Sequence, residues 1–408
     1  MANAIITPDI IAKEGLMHLE NNLGMAMNVH RDYKREYTKV GETVSIRRPV
    51  KFDVTDGATV SIQDVEEATT SITVDQQKHI AWEFTSKDLT LSIEEYSERY
   101  IKPAAIALAN KVDADLHSLY SSVWNSVGTP GTTPADYDAV SDVAQRMDEM
   151  AVPADRRCLM LNPAAGHKVA GTATALYMSK VAEDAYRRGA IGSLAGLETY
   201  KTQNVKTHTV GALGGTPLVN GASQNDTYAA AKNTNTSSLA TDGWSNSVTG
   251  VLKAGDVFTI AGVFAVNPVP GEGSKDALPY LQQFTVTADA DSNGSGQATL
   301  TVAPAIISSG PFQTVSAAPA DNAAITVLGT AATGYSQNLG FHKNAFALVA
   351  CPMEMPDGAS WKAQESKNGL SMRVIKEYDF TNDKEKIRLD ILYGKKSIYP
   401  DLACRLWG

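Results

Sequence analysis

A long helical pattern between Ser92 and Val123 constrains this fold more than any other stretch. Ser92 and Glu95 have the spacing of a capping box, which marks the start of a helix. Apolar residues then recur at helical spacing, at Ala104, Leu108, Val112, Leu116, Leu119 and Val123. At about 1.5 Å per residue the stretch would reach about 45–50 Å, so it predicts a spine on which other layers pack. Pro103 predicts a kink or a fresh helix start within it.

The composition bounds the class of protein. The chain has 408 residues, 43% of them hydrophobic, which suits two or three domains with sizeable cores. A formal net charge of −9 disfavours a protein whose main task is to bind phosphate groups. The 3 cysteines stand far apart, so we expect neither disulfides nor a zinc site, and a reducing cytoplasm as the setting. The sequence predicts neither a signal peptide nor a membrane span.

The N-terminal stretch, residues 7–30, carries apolar residues at roughly helical intervals, with Pro8 at a plausible first helical position. We interpret it as an amphipathic arm. Two interpretations stay open, a helix packed on its own domain and an arm that docks on a neighbouring molecule.

Residues 43–54 and 72–84 alternate apolar and polar side chains, as half-buried strands do. The polar link 53–70 between them is acidic and has no aromatic residue. The pattern predicts an extended hairpin with an acidic tip, and a projecting hairpin needs a partner surface. The candidate inter-subunit contacts are Arg47, Arg48, Asp56, Glu66 and Glu67. Charged residues of this kind are, however, more often simply solvated.

The composition shifts in the middle of the chain. Residues 137–150 and 158–161 predict a helix and a short apolar strand of a compact α/β or α+β lobe. From about 203 to 338 the chain becomes rich in Gly, Ala, Ser, Thr and Asn and poor in charge. Short alternating segments there predict a small all-β barrel or sandwich, at 257–260, 284–287, 298–302 and 324–327.

Longer and more charged segments return after Phe341. Residues 345–350 predict a strand, and 370–379 with 387–394 predict a second long hairpin. The β-rich block is therefore predicted to be an insertion in a lobe that begins before it and ends after it.

The sequence carries no recognisable catalytic, cofactor or metal-binding motif. The 7 histidines have no metal-ligand spacing, and no serine lies in a G-x-S-x-G motif. Gly189, Gly192 and Gly196 lack the strand–loop–helix context of a phosphate-binding loop. Asp113 and Asp115 lie two apart on the spine and are expected to face different directions. We therefore predict a protein that is not an enzyme and holds no cofactor.

Four local sequences, in the order just described, carry a resemblance to a known family. They lie at 82–89 with 107–113, at 182–189 with 195–197, at 250–263, and at 393–394 with 399–400. Together they resemble the P-twenty-two-like branch of the major capsid (coat) proteins of tailed bacteriophages. The resemblance implies an α+β, HK-ninety-seven-like capsid fold with an inserted β-barrel. It also implies pentamers and hexamers that form an icosahedral shell around double-stranded DNA, in a virion assembled in the host bacterial cytoplasm.

The resemblance also divides the chain into parts. They are an N-terminal arm at 1–38, an extended hairpin (E-loop) at 39–90, the spine helix of the peripheral domain at 91–134, the first part of the axial domain at 135–202, the inserted β-barrel domain at 203–340, and closing strands of the axial and peripheral domains at 341–408. Expected partners are further copies of the chain, a scaffolding protein during assembly and a portal protein. DNA is enclosed without sequence-specific binding, and no membrane takes part. Lys13, Glu14 and Glu20 of the arm are candidate scaffold contacts.

Other interpretations stay open at this point. A nanocompartment shell with the same fold would enclose an enzyme, although such shells usually lack a large barrel insertion. A phage surface or adhesion protein would use the β-rich block to bind carbohydrate, but it would leave the long helix without a role. An enzyme is supported only by the size of the chain.

Overall fold

The computed structural model describes residues 8–31, 43–52, 62, 65–85, 97–173, 192–268, 275–359, 361–367 and 369–408. The chain divides into two compact units. Unit 1 comprises residues 1–45, 71–116 and 346–396, and unit 2 comprises residues 46–70, 117–345 and 397–408.

The described elements are as follows. The α-helices are α1 Pro8–Asn22, α2 Met25–Asn28, α3 Lys102–His117, α4 Tyr137–Glu149, α5 Pro163–Ala173 and α6 Tyr228–Ala231. A π-helix covers Ser97–Ile101, and 3-10 helices cover Ser118–Ser122, Lys343–Ala345 and Pro400–Leu402. The strands are β1 Thr43–Arg47, β2 Thr69–Thr73, β3 Gln76–Thr85, β4 Ser126–Val127, β5 Arg157–Leu161, β6 Ser193–Leu194, β7 Leu197–Lys201, β8 Thr207–Thr209, β9 Gly215–Val219, β10 Ser237–Trp244, β11 Val257–Val266, β12 Ala277–Val286, β13 Ala298–Ala303, β14 Ile325–Val327, β15 Gly334–His342, β16 Phe346–Ala350, β17 Trp361–Lys367, β18 Leu370–Asp379, β19 Lys384–Ser397 and β20 Ala403–Trp407.

The spine is present, and its helix type changes twice along the chain. A π-helix precedes α3, and the 3-10 helix 118–122 follows it without a break. Pro103 has no N–H to donate to the carbonyl of Arg99, and its ring crowds that turn, so a wider π-turn just before it is the expected accommodation. The change of helix type at Pro103 is therefore the feature that the sequence predicted as a kink or a fresh start. Ser92 and Glu95, the predicted capping box, lie outside the described residues.

The apolar stripe of the spine is buried as predicted. Leu108 and Val112 are buried in unit 1, as is Leu116, whereas Leu119 is only half-buried. Asp113 and Asp115 contact different elements, which confirms that they face different directions. Asp113 accepts hydrogen bonds from the backbone N–H groups of Gly24 (2.6 Å) and Ala26 (3.0 Å), and so it caps the short helix α2.

Asp115 fixes the spine to the closing strands of unit 1. The Tyr393 hydroxyl donates to its Oδ2 at 2.6 Å, and Lys111 Nζ lies 3.0 Å from its Oδ1. Burial would raise the pKa of Asp115, but the hydrogen bonds from Tyr393 and Lys111 outweigh it and hold the pKa below the usual 3.8. The carboxylate therefore stabilises the folded state in its charged form.

We predict that Asp115→Asn lowers the free energy of unfolding at pH 7 by about 1–3 kcal/mol, since it removes a charged acceptor from two hydrogen bonds. The unfolded chain takes up a proton on Asp115 at a higher pH than the folded chain does. The difference in the free energy of unfolding between the unaltered protein and Asp115→Asn should therefore shrink as the pH falls from 3.8 through the lower pKa that Asp115 has in the folded state. Urea denaturation at a series of pH values measures it. Asp357→Asn, at a fully exposed position of the same unit, is the control, and a difference that does not change with pH would contradict the assignment.

The closing hairpin of unit 1 is confirmed, and the first predicted hairpin is partly wrong. Strands β18 and β19 pair antiparallel from Asp379↔Lys384 onward. The segment predicted as one strand at 72–84 contains parts of two strands, because β2 pairs with β1 while β3 pairs with β19 over ten residues. The predicted strand at 43–54 ends at Arg47. The alternation of apolar and polar residues in a strand is the same whichever strand it pairs with. The sequence pattern therefore cannot identify the neighbouring strand in the sheet.

Helix α1 packs on its own unit, against β17 and β18. Its Ile11, Leu16 and Leu19 are buried, and a Cβ on Gly15 would lie 3.0 Å from the Met372 sulfur. Of the two interpretations of the N-terminal stretch, this packing fits a helix on its own domain.

Unit 2 contains a mixed sheet and a barrel. The sheet has seven strands in the described part, in the order β4-β20-β15-β5-β7-β6 with β8 beside β15. Helices α4 and α5 cover it through an apolar core that includes Val143, Leu159 and Leu406. Asp136 caps α4 through the Ala139 N–H at 3.1 Å, so the helix predicted at 137–150 is confirmed.

The predicted β-rich block is a closed barrel. Its six strands run in the order β14-β11-β12-β13-β10-β9, and all four predicted segments lie in them, apart from single residues at their ends. The two edge strands meet, because Val219 N–H donates to the Ala323 carbonyl at 3.0 Å and Leu218 bridges Ala324. The barrel strands span residues 215–327. The predicted range 203–340 also includes β8 and most of β15, and these two strands belong to the seven-stranded sheet. The α+β class with an inserted barrel is confirmed.

Candidate inter-subunit site

The base of the first hairpin lies in unit 2 and is organised around Arg48. Its backbone N–H donates to the Ala68 carbonyl at 2.8 Å, and its Nε donates to Thr70 Oγ1 at 3.0 Å. A second guanidinium nitrogen donates to the Ile398 carbonyl at 2.9 Å, and the guanidinium lies over the Tyr399 ring. Arg48 therefore joins both strands of the hairpin to the C-terminal segment.

The other predicted contacts of the hairpin form ion pairs within the chain. Arg47 lies 3.0 Å from Glu67, and both side chains are largely exposed, so this pair adds little to stability. Glu66 lies 3.5 Å from Lys232, which follows α6 of the barrel. Asp56 lies outside the described residues. That these residues meet a second subunit remains a prediction.

A cavity of about 630 Å³ opens beside the hairpin base, and we call it the hairpin-base cavity. Its walls come from the hairpin, the barrel, the loop after α4 and the C-terminal 3-10 helix, all within unit 2. Apolar side chains make up much of the lining, including Trp124, Met150, Val266, Pro304, Ile307 and Leu402. The volume falls in the range of about 300–1,000 Å³ that is typical of binding pockets.

A pair of aromatic rings forms one wall of the hairpin-base cavity. Tyr228 and Phe312 stack with their ring centroids 3.5 Å apart and their planes 2° from parallel. Burial raises the pKa of Tyr228, partly offset by the nearby Arg48 guanidinium, so the phenol stays neutral at physiological pH. The stacked pair presents a flat aromatic surface to which a further ring can add.

The charges at the hairpin-base cavity are mostly positive. Arg48, Lys51 and Lys232 line it, against the single carboxylate of Asp401. Lys232 pairs with Glu66, but no carboxylate among the described residues forms an ion pair with Arg48 or Lys51. In a chain with a net charge of −9 this is a local basic surface.

The candidate scaffold contacts lie on α1 in unit 1. Lys13 is exposed, whereas Glu14 and Glu20 are half-buried. Glu20 lies 3.1 Å from Lys367 of β17, so part of this charge is used within the unit. The role of the three residues in binding a scaffold remains a prediction.

Sequence reasoning missed a buried polar network in unit 2. Arg405 of β20 is fully buried, and its guanidinium donates to the carbonyls of Val123 (2.6 Å) and Gly255 (2.7 Å) and to Thr285 Oγ1 (2.9 Å). Burial lowers the pKa of Arg405 to about 10, against the opposing effects of Tyr120 and Asp256, so it stays charged at neutral pH. One side chain thus joins the spine end, the barrel and the last strand.

Asp256 provides the negative charge of this network. It is fully buried and accepts from the backbone N–H groups of Gly211 (3.0 Å) and Lys253 (2.7 Å). His208 Nε2 lies 2.8 Å from it, and because a carboxylate can only accept, this nitrogen carries the proton. In the neutral ring the Tyr120 hydroxyl then donates to Nδ1 at 3.0 Å. Every one of these groups is satisfied inside the fold, which fits a structural role.

The described residues contain no group of three His, Cys, Asp or Glu side chains arranged to hold a metal ion. None of the helices described here combines the length and the apolar character that a membrane crossing requires.

Comparison with known proteins identifies relatives over nearly the whole chain. The model of the P22 coat protein family (gene protein 5) matches residues 2–408. The major capsid protein of Acyrthosiphon pisum secondary endosymbiont phage 1 is 21% identical over 387 residues, which cover 91% of this chain and 90% of that protein. A solved structure from Mycobacterium phage Che8 is 14% identical with a TM-score of 0.49, covering 94% of this chain and 90% of that one. The capsid of Ralstonia phage GP4 is 8% identical with a TM-score of 0.46, covering 100% and 93%.

Proposed function

The chain belongs to the P22 coat protein family, and on this premise we propose that it is the major capsid protein of a tailed bacteriophage. Copies assemble as pentamers and hexamers into an icosahedral shell that encloses double-stranded DNA. The observation that carries the proposal is the match of the family over residues 2–408, which includes the barrel as well as the lobes around it. The resemblance to tailed-phage coat proteins, expected from the sequence, is confirmed.

Exposed apolar side chains between β1 and β2 support assembly from many copies. Phe52, Ile62 and Val65 are 52%, 90% and 60% exposed. Large apolar side chains left exposed in this way are candidates for burial against another protein. The charged contacts that we propose on the same hairpin are Arg47, Arg48, Asp56, Glu66 and Glu67.

The charge balance supports a wall that encloses DNA without binding it tightly. A net charge of −9 provides no general attraction for phosphates. We propose a scaffolding protein as the partner of α1 during assembly, with contacts at Lys13, Glu14 and Glu20, and a portal protein at one vertex. Assembly takes place in the cytoplasm of the host bacterium, before release of the virion.

Electron microscopy of the expressed protein tests this function. The chain is produced together with the scaffold candidate encoded beside it, and closed icosahedral particles are expected in negative stain. Ile62→Asp should abolish closed particles, because it places a charge on a residue that assembly would bury. Ser295→Asp, on an exposed turn of the barrel, is the matched control and should leave the particles intact. Small oligomers of uniform size from the unaltered chain, under all conditions tried, would rule out the proposal.

A further inference from the structure

The tip of the β18–β19 hairpin in unit 1, residues 377–383, presents aromatic side chains to solvent. Phe380 is 89% exposed and Tyr378 is 47% exposed. Fully burying a phenylalanine side chain is favourable, so a protein gains nothing in stability by placing one at a hairpin tip. We call this segment the aromatic tip.

Hydrogen bonds within the turn connect the side chains of the aromatic tip to its backbone and to one another. Asp379 accepts from the backbone N–H groups of Thr381 (3.0 Å) and Asn382 (3.3 Å), and the Tyr378 hydroxyl donates to Asp383 Oδ1 at 2.6 Å. Hydrogen bonds from Lys386 and Asn382 hold the pKa of Asp379 well below its usual range, so it stays charged. A turn that is already ordered loses little conformational entropy when it binds.

The charge of the aromatic tip is opposite to that of the hairpin-base cavity. Residues 377–383 contain three acidic residues and no basic one, but Asp379 pairs with Lys386 of β19, so the exposed Glu377 is the carboxylate that a partner can meet. The cavity presents Arg48 and Lys51 without a carboxylate partner among the described residues, next to the stacked rings of Tyr228 and Phe312. A segment that combines an exposed carboxylate with an exposed aromatic ring complements this cavity, and the aromatic tip has both in Glu377 and Phe380.

We propose that the aromatic tip of one copy of this chain docks in the hairpin-base cavity of a second copy. Phe380 adds to the aromatic wall, and the Glu377 carboxylate lies near Lys51. The tip and the cavity are different surfaces, so the contact is head-to-tail, and a head-to-tail contact produces closed rings when its rotation closes. The inference rests on the proposed function, because it assigns one contact by which the shell assembles.

Assembly thresholds test the energetics of the contact. Phe380→Ser should raise the lowest protein concentration at which particles form by about 10- to 100-fold, which is the value of burying one such side chain. Ser295→Ala, at an exposed position outside both surfaces, is the control and should leave the threshold unchanged. Urea denaturation of the unassembled chains should show equal stability for all three proteins, because Phe380 buries almost nothing in the monomer.

A charge exchange tests the pairing of the two surfaces. Lys51→Glu in the cavity and Glu377→Lys on the tip should each raise the assembly threshold, because each places like charges together. The double variant should recover assembly, which a loss of folding in either single variant would not do. A double variant no better than the singles would contradict the pairing.

A disulfide between two copies tests the location directly. Phe380→Cys and Gln313→Cys are made in separate chains of different length and mixed before assembly, so that a bond between them can form only between copies. The native Cys158, Cys351 and Cys404 are buried. Burial raises the pKa of the Cys404 thiol to about 12 and also raises the pKa of the Cys158 thiol, so these cysteines should not compete. The mixed dimer is expected, and Ser295→Cys in place of Gln313→Cys should not give it.

The outcomes separate this inference from the proposed function. If the unaltered chain forms no particles, the proposed function fails. If particles form at the same threshold with Phe380→Ser, and no mixed disulfide appears, the function stands and the docking of the aromatic tip is overturned. If Phe380→Ser raises the assembly threshold but the mixed disulfide does not form, docking in the hairpin-base cavity is also overturned. Phe380 would then contact a different surface of the second copy.

Discussion

Arg405→Met should lower the free energy of unfolding of the unassembled protein by about 3–5 kcal/mol. The methionine leaves the buried carbonyls of Val123 and Gly255 without their donor, and water cannot reach them. It also removes a positive charge that interacts with the fully buried carboxylate of Asp256. Urea denaturation measures the loss, and hydrogen exchange should show it at the barrel strand β12 as well as at β20, since Thr285 of β12 loses its contact too.

Two further variants control the Arg405 prediction. Arg405→Lys keeps the charge but cannot donate to three acceptors in fixed directions. It should therefore lower the free energy of unfolding substantially, but by less than Arg405→Met does. Arg156→Met, at a position whose side chain is 70% exposed, should change stability by less than about 0.5 kcal/mol. A loss below about 1 kcal/mol for Arg405→Met would show that the network is not a structural link.

Asp390→Ala should lower the free energy of unfolding by about 3–5 kcal/mol, through unit 1. The carboxylate is fully buried on β19 and accepts from Arg373 at 2.7 Å and from Arg388 at 2.7 Å. Removing it leaves the largely buried Arg373 guanidinium without its counter-charge, which costs more than the pair contributes when intact. Hydrogen exchange of β17, β18 and β19 should increase, because these strands share the sheet in which the pair lies.

A double variant distinguishes a lost charge from a lost contact at this position. Asp390→Leu combined with Arg373→Met should be more stable than Asp390→Ala, because it removes the uncompensated charge and fills the space with apolar atoms. Asp357→Ala, at a fully exposed aspartate of the same unit, should have no measurable effect. Equal losses for Asp390→Ala and the double variant would mean that packing, and not charge, decides the cost.

The alternation and helical periodicity of the chain predicted most elements but few of their partners. The pattern at 72–84 was strand-like, yet the chain divides there into β2 and β3, which join different strands. Helix α4 and its apolar face were predicted correctly because every residue that defines them is local in sequence. The partner of a strand depends on residues hundreds of positions away, as for β3 and β19.

The candidate contacts show the same limit. Arg47 and Glu67 were singled out by their charge, and in the folded chain they form an exposed pair with each other. Arg405 and Asp256 were not singled out, because nothing near them in sequence distinguishes a buried charge from a solvated one. The hairpin-base cavity brings together Arg48, Tyr228 and Tyr399, which are far apart along the chain.

The sequence by itself determined the class of fold, the spine with a disturbance of the helix at Pro103, the inserted barrel and the family. These follow from patterns that are read along the chain, since periodicity and turn chemistry act between neighbouring residues. Only the tertiary structure decided that the edges of the barrel close on each other, that Arg405 is buried among three segments, and that a basic, aromatic cavity lies beside the hairpin. Burial and pairing are long-range properties, because they depend on which segments exclude water from one another.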